Sequence, residues 1–201
     1  MKLKNINESS RLLFSAILLA GTVSTVCADE KNSSLIAIEG GYSYLSSEVT
    51  DRASTPNSYD QEKAQLGNIA LKLGAESKNY RVFLNGRYYF ANAEYDALVT
   101  YGVDVQYKFD FSSSFDIFIG AGAGIADAKF QISNEPFSRT ISDPYYSGDL
   151  GINFHVSDSV DFEIAGRYMS LEALNSKSDV DYTFNDIITG YASIIYKFDI
   201  E

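Results

Sequence analysis

The only histidine of this chain, His155, stands two residues before Ser157. An imidazole near a hydroxyl is the starting material for a base-activated nucleophile. Ion pairing is the other chemistry on offer. Glu39, Lys72, Glu76, Arg81, Arg87, Asp104, Lys108, Asp116, Asp149, Asp161, Glu163 and Arg167 all fall inside runs that are apolar at alternate positions. Whether these groups are reagents or a buried salt network depends on the elements that hold them.

Those elements repeat one pattern. From Thr100 to Phe109, Tyr101, Val103, Val105, Tyr107 and Phe109 alternate with Thr100, Gly102, Asp104, Gln106 and Lys108. A period of two means a strand, because successive side chains leave opposite faces of the pleat. The pattern recurs near Leu35–Leu45, Gln65–Glu76, Tyr80–Phe90, Phe115–Ala126, Tyr146–His155, Asp161–Tyr168 and Ile188–Phe198. In nearly every copy one face is aliphatic and aromatic while the other carries formal charges. A barrel standing in a membrane, apolar outside and polar within, accounts for that inversion.

Connection lengths point the same way. Short ones fall at Ser77–Asn79, Asp110–Ser114 and Ser157–Ser159, and long polar ones at Ser46–Lys63, Ala91–Asp96, Asp127–Asp143 and Glu172–Asp186. Outer-membrane barrels alternate tight periplasmic turns with longer external loops in this way. Tyr44, Tyr80, Phe90, Phe109, Phe115, Phe154, Tyr168 and Phe198 near strand ends suggest two interfacial girdles.

The N-terminus sets the compartment. Lys2, Lys4 and Arg11 precede an apolar stretch from Leu12 to Val23, and Val26-Cys27-Ala28 offers small residues to a peptidase. This is a secretory signal, with cleavage expected after Ala28 and residues 29–201 forming one barrel domain. A lipidated Cys27 is the rival reading, against which Val26 is bulky. Loss of the three basic residues and Glu8 takes the formal charge from −11 to −13, so nucleic acid is not an expected partner.

The chain resembles the porin family of outer-membrane β-barrels, in particular the small eight-stranded OmpA/OmpX type. The likeness rests on Ile119-Gly120-Ala121-Gly122-Ala123-Gly124, on Gly166-Arg167-Tyr168 and on the ending Ile194-Ile195-Tyr196-Lys197-Phe198. It implies an all-β, eight-stranded antiparallel up-and-down transmembrane barrel in a Gram-negative outer membrane. It also implies outer-membrane lipid and the barrel-assembly machinery as partners, with Tyr196 and Phe198 as the C-terminal assembly signal. Such proteins usually stop at the aromatic residue, whereas Asp199-Ile200-Glu201 follows here. No peptidoglycan-binding domain is expected after the barrel.

Eight strands leave an interior just wide enough for side chains to fill, so its charges must find partners. Counting outward from Ser157–Ser159 sets Val156 opposite Val160, His155 opposite Asp161, Asn153 opposite Glu163 and Asp149 opposite Arg167. The same counting sets Lys108 opposite Asp116 and Glu76 opposite Arg81. Phe154-His155-Val156-Ser157 also resembles the His-x-Ser of eight-stranded lipid A deacylases, which need their base near the external, lipid-facing rim. This topology puts His155 inside, beside a periplasmic turn, so a core histidine is expected and no catalytic residue.

Acidic residues in the first and last long loops, Glu48, Asp51, Asp60, Glu62, Asp179, Asp181 and Asp186, match no calcium-loop spacing and read as solvated charge. No metal or cofactor is expected. Tyr59, Phe130, Phe137, Tyr182 and Phe184 stand among them and could anchor a protein or host-surface partner, or fold over the barrel mouth. The expected function is therefore structural or surface-interacting, by a monomer whose interior is closed by polar and ionic side chains. A narrow passive porin and a soluble periplasmic, lipocalin-like ligand-binding barrel are the alternatives.

Overall fold

The computed structural model describes residues 33–51, 58–90, 97–131, 138–177 and 180–199; the leader expected over Met1–Ala28 lies outside them. Eight strands follow one another: β1 (Ser33–Asp51), β2 (Ser58–Glu76), β3 (Tyr80–Tyr89), β4 (Ala97–Ser112), β5 (Phe115–Gln131), β6 (Ser138–Ser157), β7 (Val160–Lys177) and β8 (Val180–Phe198). Each pairs antiparallel with the next, and β8 returns to β1, closing the barrel.

The period-two pattern sorts the side chains as the sequence implies. On β3, Tyr80, Leu84 and Tyr88, followed by Phe90 just past the strand, are exposed on the outside while Arg81, Phe83, Asn85, Arg87 and Tyr89 are buried within. Ile38, Ile69, Leu71, Leu73, Ile119, Leu150, Ile164, Ile188 and Ile194 continue the outer aliphatic band around the wall. Among the described lysines and arginines with assigned burial, only Lys78, in the β2–β3 turn, is exposed. A wall of this composition faces hydrocarbon, and closure gives every backbone group a partner there.

Outer aromatics frame the band. Tyr80, Phe109, Phe111, Phe154, Tyr196 and Phe198 gather toward the short-turn end, and Tyr42, Tyr44, Tyr88, Phe90, Tyr146 and Tyr168 toward the other. Tyr80, at the start of β3, and Phe90, one residue past its end, lie ten positions apart. At about 3.3 Å per residue and a tilt of about 40°, that separation spans roughly 25 Å along the barrel axis, the height of a bilayer's apolar band. At the upper edge, the Tyr42 hydroxyl donates to Gln65 at 2.7 Å and the Tyr168 hydroxyl to Asp186 at 2.5 Å.

Three of the expected long loops are mostly strand. β1 and β2 run together to the Asp51–Ser58 pair, β5 and β6 to Gln131–Ser138, and β7 and β8 to Lys177–Val180. Alternating hydrophobicity marks only the part of a ladder that meets lipid. Beyond that height a hairpin needs only its backbone bonds, so polar sequence hides it. The aromatic side chains proposed there as anchors, from Tyr59 to Phe184, lie outside those described.

Two turns also differ from simple counting. At the β4–β5 turn the register shifts between Asp110 and Ser112, so Lys108 faces Phe118 and Asp116 faces Asp110, not Lys108. At the β6–β7 turn the shift falls between His155 and Ser157, which sets Ser157, not Val156, opposite Val160. In both places one residue bulges out of the ladder and the turn tightens to two residues. Asp149, Asn153 and His155 nevertheless face Arg167, Glu163 and Asp161.

Candidate functional site

The lumen is stratified. Its outer part, near the long-hairpin end, is filled by Leu45, Leu66, Tyr89, Leu98, Tyr145, Met169, Leu171 and Ile187. The sequence led us to expect an interior closed by polar and ionic side chains; such a layer is present, and the correction is the apolar plug above it. These residues hold the same inward positions as the charges below them, but both faces are apolar at that height, so alternation has no contrast to show. Below the plug sits a belt of ions.

Three lumenal glycines make room for the junction between the layers. Gly102 and Gly124 are cross-strand partners, and Gly124 also faces Tyr145. A Cβ on Gly124 would lie 2.2 Å from the Tyr101 carbonyl oxygen and 2.6 Å from the Tyr145 ring. A Cβ on Gly122 would lie 2.3 Å from Asp104 Oδ1. Here the glycine run on β5 allows close approach, with Tyr145 and Asp104 occupying the volume that side chains would have claimed.

In the belt, Arg167 on β7 lies at 2.6 Å from Asp149 on β6 through Nε and again through Nη2, and Nη2 also reaches Asp104 on β4 at 3.0 Å. The planar fork of the guanidinium suits this two-sided grip. Lys72 on β2 lies 2.5 Å from Glu39 on β1 and 3.3 Å from Glu163 on β7, with the rings of Phe83 and Tyr191 at 5.4 and 4.8 Å. Arg87 on β3 bonds Glu39 from the other side. Toward the turn end Arg81 binds Glu76 and Asp161, Lys108 reaches Glu76 at 3.0 Å, and Lys197 reaches Asp161 at 2.9 Å.

Five of these nine ion pairs join strands that are not neighbours. Register counting finds only adjacent pairs such as Asp149 with Arg167 and Glu76 with Arg81. It missed Lys197, although its inward position on β8 was legible, and Tyr191, whose ring also lies 5.1 Å from Arg167. Seven carboxylates, Glu39, Glu76, Asp104, Asp116, Asp149, Asp161 and Glu163, meet the six cations Lys72, Arg81, Arg87, Lys108, Arg167 and Lys197, with His155 beside them. The belt is close to neutral. The chain's large acidic excess lies outside it.

His155 faces two carboxylates, with Nδ1 at 3.0 Å from Asp161 and Nε2 at 3.3 Å from Asp116. Ser157 instead accepts a hydrogen bond from the Ser159 amide at 3.3 Å. Base and hydroxyl are therefore engaged separately, and the geometry is that of a brace across β5, β6 and β7. Asp161 has further bonds from Arg81, Asn153 and Lys197, and the imidazole is a quarter exposed. His155→Gln should accordingly cost no more than about 1 kcal/mol of unfolding free energy in a urea titration. Among the described residues, no cluster of histidine, cysteine and acidic side chains is placed to hold a metal ion.

Comparison with known proteins supports this architecture. Residues 14–193 match the family described as outer membrane protein beta-barrel domain. A search of curated proteins finds no match. Among solved structures, Neisserial surface protein A is 16% identical, covering 81% of this chain and 99% of its own, with a TM-score of 0.55. The outer membrane protein OprG from Pseudomonas aeruginosa is 14% identical, covering 85% and 99%, with a TM-score of 0.57. At those identities the likeness is one of fold. The family match extends over most of the sequence and agrees with the closed wall, its apolar exterior and its ion-filled lumen: the chain belongs to the outer-membrane β-barrel domain family.

Proposed function

We propose that this protein is a non-conducting outer-membrane anchor that presents a β-sheet at the cell surface for interaction with other molecules. The observation that carries this reading is the doubly sealed lumen. An apolar plug and a paired ionic belt occupy successive layers, and a permeating solute would have to displace both. What remains for the molecule to offer is outside the membrane. There β1, β2 and β5 to β8 continue past the upper aromatic girdle as paired strands.

The narrow-porin alternative needs the belt to rearrange, and a ligand-binding barrel needs a lumenal cavity with the polar face outward. The observed packing favours neither. In this reading residues 1–28 are a cleaved leader, the short turns face the periplasm, and the molecule acts as a monomer. Tyr196 and Phe198, stacked outward at 6.1 Å on the last strand, serve recognition by the assembly machinery. The bonded geometry of His155 supports a structural role over a catalytic one.

The test is reconstitution in planar bilayers. The wild-type barrel should give no unitary current steps across the voltage range that the bilayer tolerates. Steady, ion-selective steps would overturn the sealed reading in favour of the pore.

A further inference from the structure

The lipid-facing wall has a level upper edge and a stepped lower one. Cross-strand partners followed once round the barrel, from Tyr44 through Ile188 on β8 and onward to Ala75 on β2, return to β1 at Ser34, ten residues below the start. At about 3.3 Å per residue and a tilt of about 40°, ten residues are roughly 25 Å of height, so each of the eight steps falls by about 3 Å. This staircase puts outward residues of different strands on one scale of height.

Gln65, Asp127 and Asp186 are the first polar outward residues above the apolar band on β2, β5 and β8. On that scale they stand within about 2 Å of one another, so the upper edge is level. The lower edge is not. Among the described residues, the apolar band ends at Ile36 on β1, Ala75 on β2 and Tyr80 on β3, with Ser34 and the Ser77–Asn79 turn beneath. On β5, diametrically across the barrel, Phe115 lies about 7 Å lower than Ile36. Phe111 and Val156, at the two neighbouring turns, extend this low edge and are 69% and 66% exposed, and Phe198 carries it on to β8.

A flat bilayer cannot meet both edges. Tilting the barrel would level the lower one, but it would sink Gln65 and Asp186 into hydrocarbon, where an amide or a carboxylate is costly. A closed barrel keeps its height because every strand is bonded on both sides, whereas lipid chains can tilt and shorten. We infer that the wall formed by β1, β2 and β3 is a membrane-thinning surface, beside which the phospholipid headgroups of the periplasmic leaflet are drawn about 7 Å toward the outer leaflet. The partner of this surface is lipid, and the site is the step itself: Ile36 and Ala75 meet headgroups at a height where β4 to β8 are still in contact with acyl chains.

The sequence contains no tryptophan, so single tryptophans report depth without background. Ile36 on β1 and Ile152 on β6 both face outward and lie within about 1 Å of one height. The experiment reconstitutes full-length Ile36→Trp and Ile152→Trp in dioleoylphosphatidylcholine vesicles containing lipid brominated either near the headgroup or near the chain end. The ratio of shallow to deep quenching should be at least twofold higher for Ile36→Trp, with redder emission. Ala75→Trp and Ile117→Trp, a second matched pair on β2 and β5, should repeat the contrast and decide the matter if either first variant loses the fast-migrating gel band. Tyr44→Trp and Pro144→Trp, matched near the upper edge, should give equal ratios.

Equal ratios within the lower pairs would show a flat periplasmic leaflet and overturn the proposal. A contrast of the opposite sign in the upper pair, with Tyr44→Trp the deeper, would show a rigidly tilted barrel and overturn it too.

Discussion

Arg167→Met should lower the unfolding free energy by about 3–5 kcal/mol, measured by reversible urea unfolding of the refolded barrel in detergent or bilayers. The side chain is almost wholly buried and grips Asp149 at 2.6 Å and Asp104 at 3.0 Å. Removing the cation leaves two carboxylates in a water-poor interior, where an uncompensated charge costs far more than the pair contributed. The double variant Arg167→Met with Asp149→Asn discards one of those charges and should recover more than half of the loss. Recovery of nothing would show that Arg167 acts through its packing against Tyr191, not through its charge.

Gly124→Ala should be at least as damaging, with the unboiled sample largely losing its fast-migrating folded band. The added methyl would sit 2.2 Å from the Tyr101 carbonyl oxygen and 2.7 Å from the Gly102 Cα, both backbone atoms of the paired strand. No rotamer change relieves a backbone contact, so β4 and β5 would have to separate where their ladder closes the wall. Adding Tyr145→Ala to this variant should not restore the band, because it removes the ring contact and leaves the carbonyl. Gly166→Ala and Gly190→Ala, at outward positions with nothing within 4 Å of the added carbon, are the controls and should fold normally.

The membrane half of the fold was legible because lipid and lumen impose opposite demands on successive residues, as from Tyr101 to Lys108. The strands above the membrane were not. Residues 47–51 and 58–63 are polar apart from Val49 and Tyr59 and show no apolar alternation, and only backbone pairing makes them strand. The turns illustrate a second limit. A single bulged residue moved the partner of Asp116 from Lys108 to Asp110, and nothing in the sequence of a serine-rich turn announces which residue will bulge. For the site, the inward positions read from sequence included the belt residues from Glu39 to Arg167 but left out Lys197, and they did not give the wiring. The bond of Arg87 to Glu39 reaches across β2 and that of Lys72 to Glu163 depends on barrel closure, neither of which local counting contains.

The position of Glu39 bears on how the chain can fold. This one carboxylate, on the first strand, meets Lys72 from β2, Arg87 from β3 and, at 3.8 Å, Arg167 from β7. A sheet missing its last strands would expose Glu39 and Lys72 to lipid with their partners only partly assembled. The open intermediates are thus high in energy throughout, and insertion and closure become a single cooperative event. Equilibrium unfolding should follow two-state behaviour, with tryptophan-free probes such as tyrosine fluorescence and backbone circular dichroism tracing coincident curves.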